Sequence, residues 1–225
     1  MAKDRAVISA ASSSIQPEVR TTQSARTKAA PGSIRYAWPK LAILAATILL
    51  VVSTLFAWWA LTLHAPQYPD GLEIVISTNS VTGDVREVDG LNHYIGMMPL
   101  GDAASVERMI APWAITLFVI MGVLAVVLTP RWAPWLAVPI ILFPFVFAAD
   151  LYFWLYRAGH NLDPTAALSS SVKPFTPAIL GEGIVGQFST TAMFQTGWFI
   201  AVAGAVLAAA GIVALQRRAK PVTSS

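Results

Sequence analysis

A chain of 225 residues that is 56% hydrophobic and only 12% charged, with a mean hydropathy of +0.61, is too apolar to be an ordinary soluble domain. Its net charge of +3 is gathered in the terminal segments, which reads as membrane topology and excludes a basic nucleic-acid groove. The absence of cysteine excludes disulfides, c-type haem attachment and thiolate metal sites, leaving His, Met and carboxylates as the available metal ligands.

In chain order, residues 1–40 form a basic tail without apolar periodicity, containing Lys3, Arg5, Arg20, Arg26, Lys28, Arg35 and Lys40. The first uncharged apolar run, 41–63, reaches the roughly 20 residues that cross a bilayer core and predicts a retained span. The polar stretch that follows, within an outer loop of 64–109, predicts a small hairpin with strands at 72–77 and 85–88 around a turn at 79–84. Further spans are predicted at about 110–128, 135–156 and 197–215, with an outer loop at 157–196 and a short cationic tail at 217–225. The expected architecture is therefore an all-α, four-helix membrane domain over residues 41–216.

Orientation follows from the cations. The N-terminal group, Arg131 in the turn between spans two and three, and Arg217, Arg218 and Lys220 all fall on one side of four spans. Cationic loops are retained in the cytoplasm, so both termini are expected in the cytoplasm of a bacterial cell and both long loops outside. The lipid bilayer is the first expected partner.

The outer loops hold the residues with chemistry. Asn92-His93-Tyr94-Ile95-Gly96-Met97-Met98 places an imidazole beside two thioethers, a soft donor set that suits Cu(I). His93 and Met97 share a side whether the stretch is helical, at i and i+4, or extended. The competing reading is that Tyr94, Ile95, Met97 and Met98 pack the loop onto the helix ends, with His93 a polar handle. Arg157-Ala158-Gly159-His160-Asn161-Leu162-Asp163-Pro164, at the outer end of span three, is either a capped turn leading into a short helix or a source of two more ligands, His160 and Asp163. Asp150 is the acid placed well inside a span, with Arg157, Tyr152, Tyr156 or a loop histidine as partner. It serves either a relay or helix packing. Gly-rich phosphate loops, Ser or Cys nucleophile motifs and zinc helices are missing, so no catalytic residue and no enzyme activity are expected.

Tyr68-Pro69-Asp70-Gly71-Leu72, Thr82-Gly83-Asp84-Val85, Leu91-Asn92-His93-Tyr94-Ile95-Gly96-Met97 and Gly159-His160-Asn161-Leu162-Asp163-Pro164, with Ala166-Ala167, resemble a membrane protein family encoded with bacterial nitrous oxide reductase. The resemblance covers the loops and their borders, well under half of the chain. It implies a cytoplasmic-membrane accessory protein in denitrification, supporting maturation of that exported copper enzyme, whose outer loops bind or hand over copper or dock the reductase or its copper chaperone. His93, Met97, Met98, His160 and Asp163 are then the expected copper ligands, with Asn92, Tyr94, Asp150, Arg157 and Asn161 in supporting roles. Two other readings stay open on the residues alone: the membrane subunit of a permease whose path Asp150 lines, and a noncatalytic assembly subunit of a membrane complex.

Overall fold

The apolar run 41–63, expected as one span, breaks in two. The computed structural model describes residues 32–129, 131–168, 171–185 and 188–219; the tail readings at 1–31 and 220–225 lie outside these. Helix α1, Gly32–Ser53, begins within the segment read as tail and stops ten residues before the expected end of span one. Its last turn tightens through the amides of Thr54, Leu55 and Phe56, which bond the carbonyls of Val51, Val52 and Ser53 three residues back. The chain then enters strand β1, Trp59–Ala65.

Strands β2, Tyr68–Ile76, and β3, Val81–Gly83, extend the sheet on one side of β1; β4, Gly181–Val185, and β5, Phe188–Phe194, extend it on the other. The order is β3-β2-β1-β5-β4, with every pairing antiparallel. The protein is thus mixed α/β, not an all-α bundle. The physical reason is that β1 is the central strand of the sheet, with Trp59, Ala60, Leu61 and Leu63 all buried. A strand buried on both faces reads as an unbroken apolar run, and periodicity alone does not separate it from a helix.

The expected hairpin is also revised. Residues 72–76 lie in β2, but its partner is the short β3, and residues 85–88 open helix α2, Val85–Ile95. Asp84 makes the junction: its amide bonds the Glu73 carbonyl at 2.8 Å, and its Oδ2 accepts the Glu73 amide at 2.8 Å.

Among the described residues three helices are long and apolar enough to cross a membrane. They are α3, Ser105–Val127; α4, Val138–His160, entered through a 3₁₀ turn at Ala133–Ala137; and α5, Thr196–Ala219. The apolar part of α1 in the described residues, Ala37–Ser53, is shorter, so the four-span count is not met. On α3, Val106, Ile110, Trp113, Leu117, Ile120, Leu124 and Val127 are all exposed, Trp113 at 76%. An apolar face of this extent points to a lipid bilayer as the environment.

Small residues set the helix packing. Along α5, Gly197, Gly204 and Gly211 fall seven apart and meet α1 and its exit: Gly211 against Pro39 and Ile43, Gly204 against Ala46 and Leu49, Gly197 against Ala57 and Trp58. The two helices therefore run antiparallel at close range, the way small residues let membrane helices approach. On α3, Gly122 abuts Thr47 of α1. Helix α4 packs on α5, whereas α3 and α4 barely touch one another.

The sheet sits at one end of this bundle, where α1 ends, α5 begins and α4 ends. One core lies among the helices around Ile43, Leu50, Ile140 and Ile212. A second lies under the sheet, where Trp59, Leu61, Leu72, Ile74 and Val88 pack on Leu151 of α4. Both segments between helices contribute strands, and β1 pairs with β5 from Trp59↔Phe194 to His64↔Ser189. The polar parts of the chain thus form one head.

Candidate functional site

Helix α2 has Val88, Asn92 and Ile95 on its buried face, at the spacing of a one-sided amphipathic helix. Gly96 ends it in the left-handed region, at φ 81°, and its N–H bonds the Asn92 carbonyl. The Met97 amide reaches the same carbonyl at 2.9 Å. Because the chain reverses at Gly96, Met97 lies beyond the helix. The shared i, i+4 face expected of His93 and Met97 is not formed: His93 and Tyr94 are exposed, while Met97, 9% exposed, packs with Ile95, Ala158 and Val185.

The second segment is held against this cap. The Asp163 amide bonds the Gly96 carbonyl at 2.8 Å, and the Leu168 amide bonds the Tyr94 carbonyl at 2.9 Å. A Cβ on Gly96 would stand 2.7 Å from the Asp163 carbonyl oxygen and 2.9 Å from its nitrogen. Gly159, in the last turn of α4, makes the other close approach: its carbonyl accepts the Phe175 amide at 3.1 Å, and any side chain there would overlap the Phe175 carbonyl. Instead of starting a short helix, Asp163 closes a local turn, its Oδ1 accepting from the Thr165 amide at 2.8 Å and the Thr165 hydroxyl at 2.7 Å. The Thr165 hydroxyl first, the Thr165 amide and then the nearby His93 hold this carboxyl below its ordinary range.

Together the two segments wall an open cleft of about 660 Å³ lined by His93, Met97, Met98, Asn161 and Asp163. His160 is not among its walls. Its ring stacks on Tyr156 at 3.9 Å between centroids, with Nδ1 3.0 Å from the Tyr156 carbonyl oxygen. The cleft does not fit a resident copper ion as a closed ligand set. Met97 is committed to an apolar cluster, Asp163 to its own turn and His160 to Tyr156. Among the described residues no group of three or more His, Asp or Glu side chains is placed to hold a metal ion. Asn92, on the buried face of α2, is 3% exposed, and its Nδ2 has no hydrogen-bond partner.

Asp150 lies within α4, the helix of the candidate span Ala133–His160. The part of α4 around and after it, from Phe147 and Leu151 through Leu155 to Ala158, packs against the head. Asp150 lines one cavity with Glu107, at the start of α3. Arg157 is turned elsewhere, its guanidinium 5.7 Å from the centre of the Trp154 ring. Tyr152 and Tyr156 are about half exposed.

Gly96 entered the sequence reading only within a motif and Gly159 only as the end of a helix, not as the residues that let the two segments touch. A glycine closing the α2 pattern is a recognisable C-cap signal, but what it packs against is not local information. Comparison of the chain with protein-family models, curated proteins and solved structures finds no match.

Proposed function

We propose that the chain is a membrane accessory protein whose head is a docking platform for maturation of an exported copper enzyme, nitrous oxide reductase in the resemblance carried by the two loops. One observation supports this reading above the others. The two motif-bearing segments, far apart in sequence, are hydrogen-bonded backbone to backbone and wall one cleft. Shared residues scattered over two loops are accounted for economically when both loops build one surface.

Of the roles implied by the resemblance, docking the reductase or its copper chaperone suits the geometry better than storing copper. The cleft offers His93 and Met98 as accessible soft groups, enough for passing contact with a copper-bearing partner but not for a closed site. Orientation follows the cations again: Arg131, Arg217 and Arg218 lie at the end of the bundle away from the sheet, which favours that end in the cytoplasm and the head outside.

The test is a complementation. In cells that depend on this chain, changing His93 and Met98 together to Ala is expected to lower the copper content of the reductase severalfold, with the level of the variant in the membrane unchanged. Met97 is left intact because its removal would disturb packing. A fully copper-loaded reductase in the double variant would overturn the proposal.

A further inference from the structure

At the end of the bundle away from the head, beyond anything the docking role uses, α1 and α5 leave an open groove of about 430 Å³ between them. Its walls are Trp38 of α1 and Ala210, Val213, Ala214, Arg217 and Arg218 of α5. Along α5 these residues fall in an order of polarity. Arg217 and Arg218 form an exposed rim, Val213 and Ala214 lie one turn deeper, and Ala210 lies about 10 Å below Arg217 at 1.5 Å per residue.

The sign of the charge at this rim is unmixed. Among the described residues of the segments that meet there, 32–45, 120–129, 131–142 and 208–219, no Asp or Glu occurs. Lys40 and Arg131 add positive charge at the same end, Lys40 Nζ donating to the Val126 carbonyl near the close of α3 at 2.6 Å. The Arg218 guanidinium stands 5.8 Å from the centre of the Trp38 ring, a contact that positions its planar fork at the mouth of the groove. Because α1 and α5 run antiparallel, the partial negative charge of about half a unit at the end of α5 lies beside the partial positive start of α1, so the arginines set the sign.

An occupant that meets both parts of the groove is an anion on a hydrocarbon chain. A soluble anion would leave Ala210, Val213 and Ala214 uncovered, and a neutral hydrocarbon would leave the arginines unanswered. A zwitterionic phospholipid brings a phosphate together with a cation for which this end of the bundle, among the described residues, holds no carboxylate. Helix α5 is long and apolar enough to cross a membrane, and its terminal arginines stand where the headgroups of a bilayer begin. We infer that the groove binds an anionic phospholipid. Its phosphate lies against Arg217 and Arg218, and one acyl chain runs past Val213 and Ala210 toward the middle of the bilayer.

The experiment releases the full chain from nanodiscs of equimolar phosphatidylglycerol and phosphatidylcholine with identical acyl chains, and identifies the retained lipid by native mass spectrometry. Retained phosphatidylglycerol is expected to exceed phosphatidylcholine by roughly tenfold or more, since each cation near a membrane surface favours an anionic lipid by about fivefold and two line the groove. Arg217→Gln with Arg218→Gln should bring the two lipids close to equality. Arg131→Gln, at the same end but outside the groove, should leave the preference unchanged, which separates a site from a diffuse surface potential. Ala210→Trp, which fills the groove from an exposed position, should remove the retained phosphatidylglycerol while the melting profile stays that of the unaltered chain. Equal retention of both lipids by the unaltered chain, a preference that survives the double arginine variant, an equal loss with Arg131→Gln, or phosphatidylglycerol still held by folded Ala210→Trp protein would each overturn the inference.

Discussion

Replacing Gly96 with valine will lower the thermal midpoint of the purified protein by roughly 6–12 °C, on the scale where about 3 kcal/mol costs a chain of this size that much. Two costs add. Gly96 holds φ at 81°, which a β-branched residue adopts only at a penalty of about 1–2 kcal/mol. Its new Cβ would also stand 2.7 Å from the Asp163 carbonyl oxygen, and the backbone must yield by an amount worth a further 1–3 kcal/mol or so. The site suffers first, because the displaced atoms belong to the hydrogen bond from Asp163 to Gly96 that joins the two segments. Differential scanning fluorimetry reads the midpoint, and hydrogen exchange at the Asp163 and Leu168 amides reads the local opening. An unchanged midpoint with both amides still protected would mean that the segments do not meet at Gly96.

Trp58→Ala is expected to cost as much or more, about 3–5 kcal/mol, the usual range for truncating a buried large aromatic side chain. Trp58 is fully buried where the helices hand over to the sheet. Its indole N–H donates to the Ser53 carbonyl at 2.9 Å, and its ring meets Phe143 and Phe147 of α4 edge-on at 5.3 and 4.9 Å. Its backbone N–H donates to the Ile76 carbonyl, and its carbonyl accepts the Gln195 amide, each at 2.9 Å. One residue thus ties together the end of α1, β2, α4 and the segment leading into α5. Trp58→Phe keeps most of the apolar contact and loses the indole hydrogen bond, so its midpoint should fall between wild type and Trp58→Ala. A Trp58→Ala protein that melts like wild type would place this residue in lipid, as a continuous first span requires.

That contrast marks what the sequence could and could not say. Helices α3, α4 and α5 were legible because each holds a long, predominantly apolar run, and length alone separates such a run from any strand. The run 41–63 was not, because it joins a helix to a doubly buried strand with no charge, Gly or Pro at the break, only Ser53 and Thr54. Residues 188–194 were taken for loop. Their Ser, Thr and Gly neighbours mask an alternation that makes sense only once β1 is known to lie alongside.

The candidate site was legible in part. His93, Met97, Met98 and Asp163 stood out by residue type, and they do line one cleft. Their division of labour was not visible. Whether Met97 faces solvent or the Ile95–Ala158–Val185 cluster depends on the reversal at Gly96, and His160 is drawn off by Tyr156 one turn earlier. Span three was taken to end near Tyr156, whereas α4 continues to His160 and its final turns pack against the head.

The most direct test of a head assembled from both segments between helices is a cross-link across its central pairing. Thr62 of β1 lies directly opposite Thr191 of β5, at the spacing of about 5 Å found between antiparallel partners, and the natural chain contains no cysteine to interfere. Thr62→Cys with Thr191→Cys, oxidised in intact membranes, should give an intramolecular disulfide, seen as a shift in gel mobility that reductant reverses. If the pair stays reduced while each single cysteine remains open to a membrane-impermeant maleimide, the two segments do not share a sheet and the account fails.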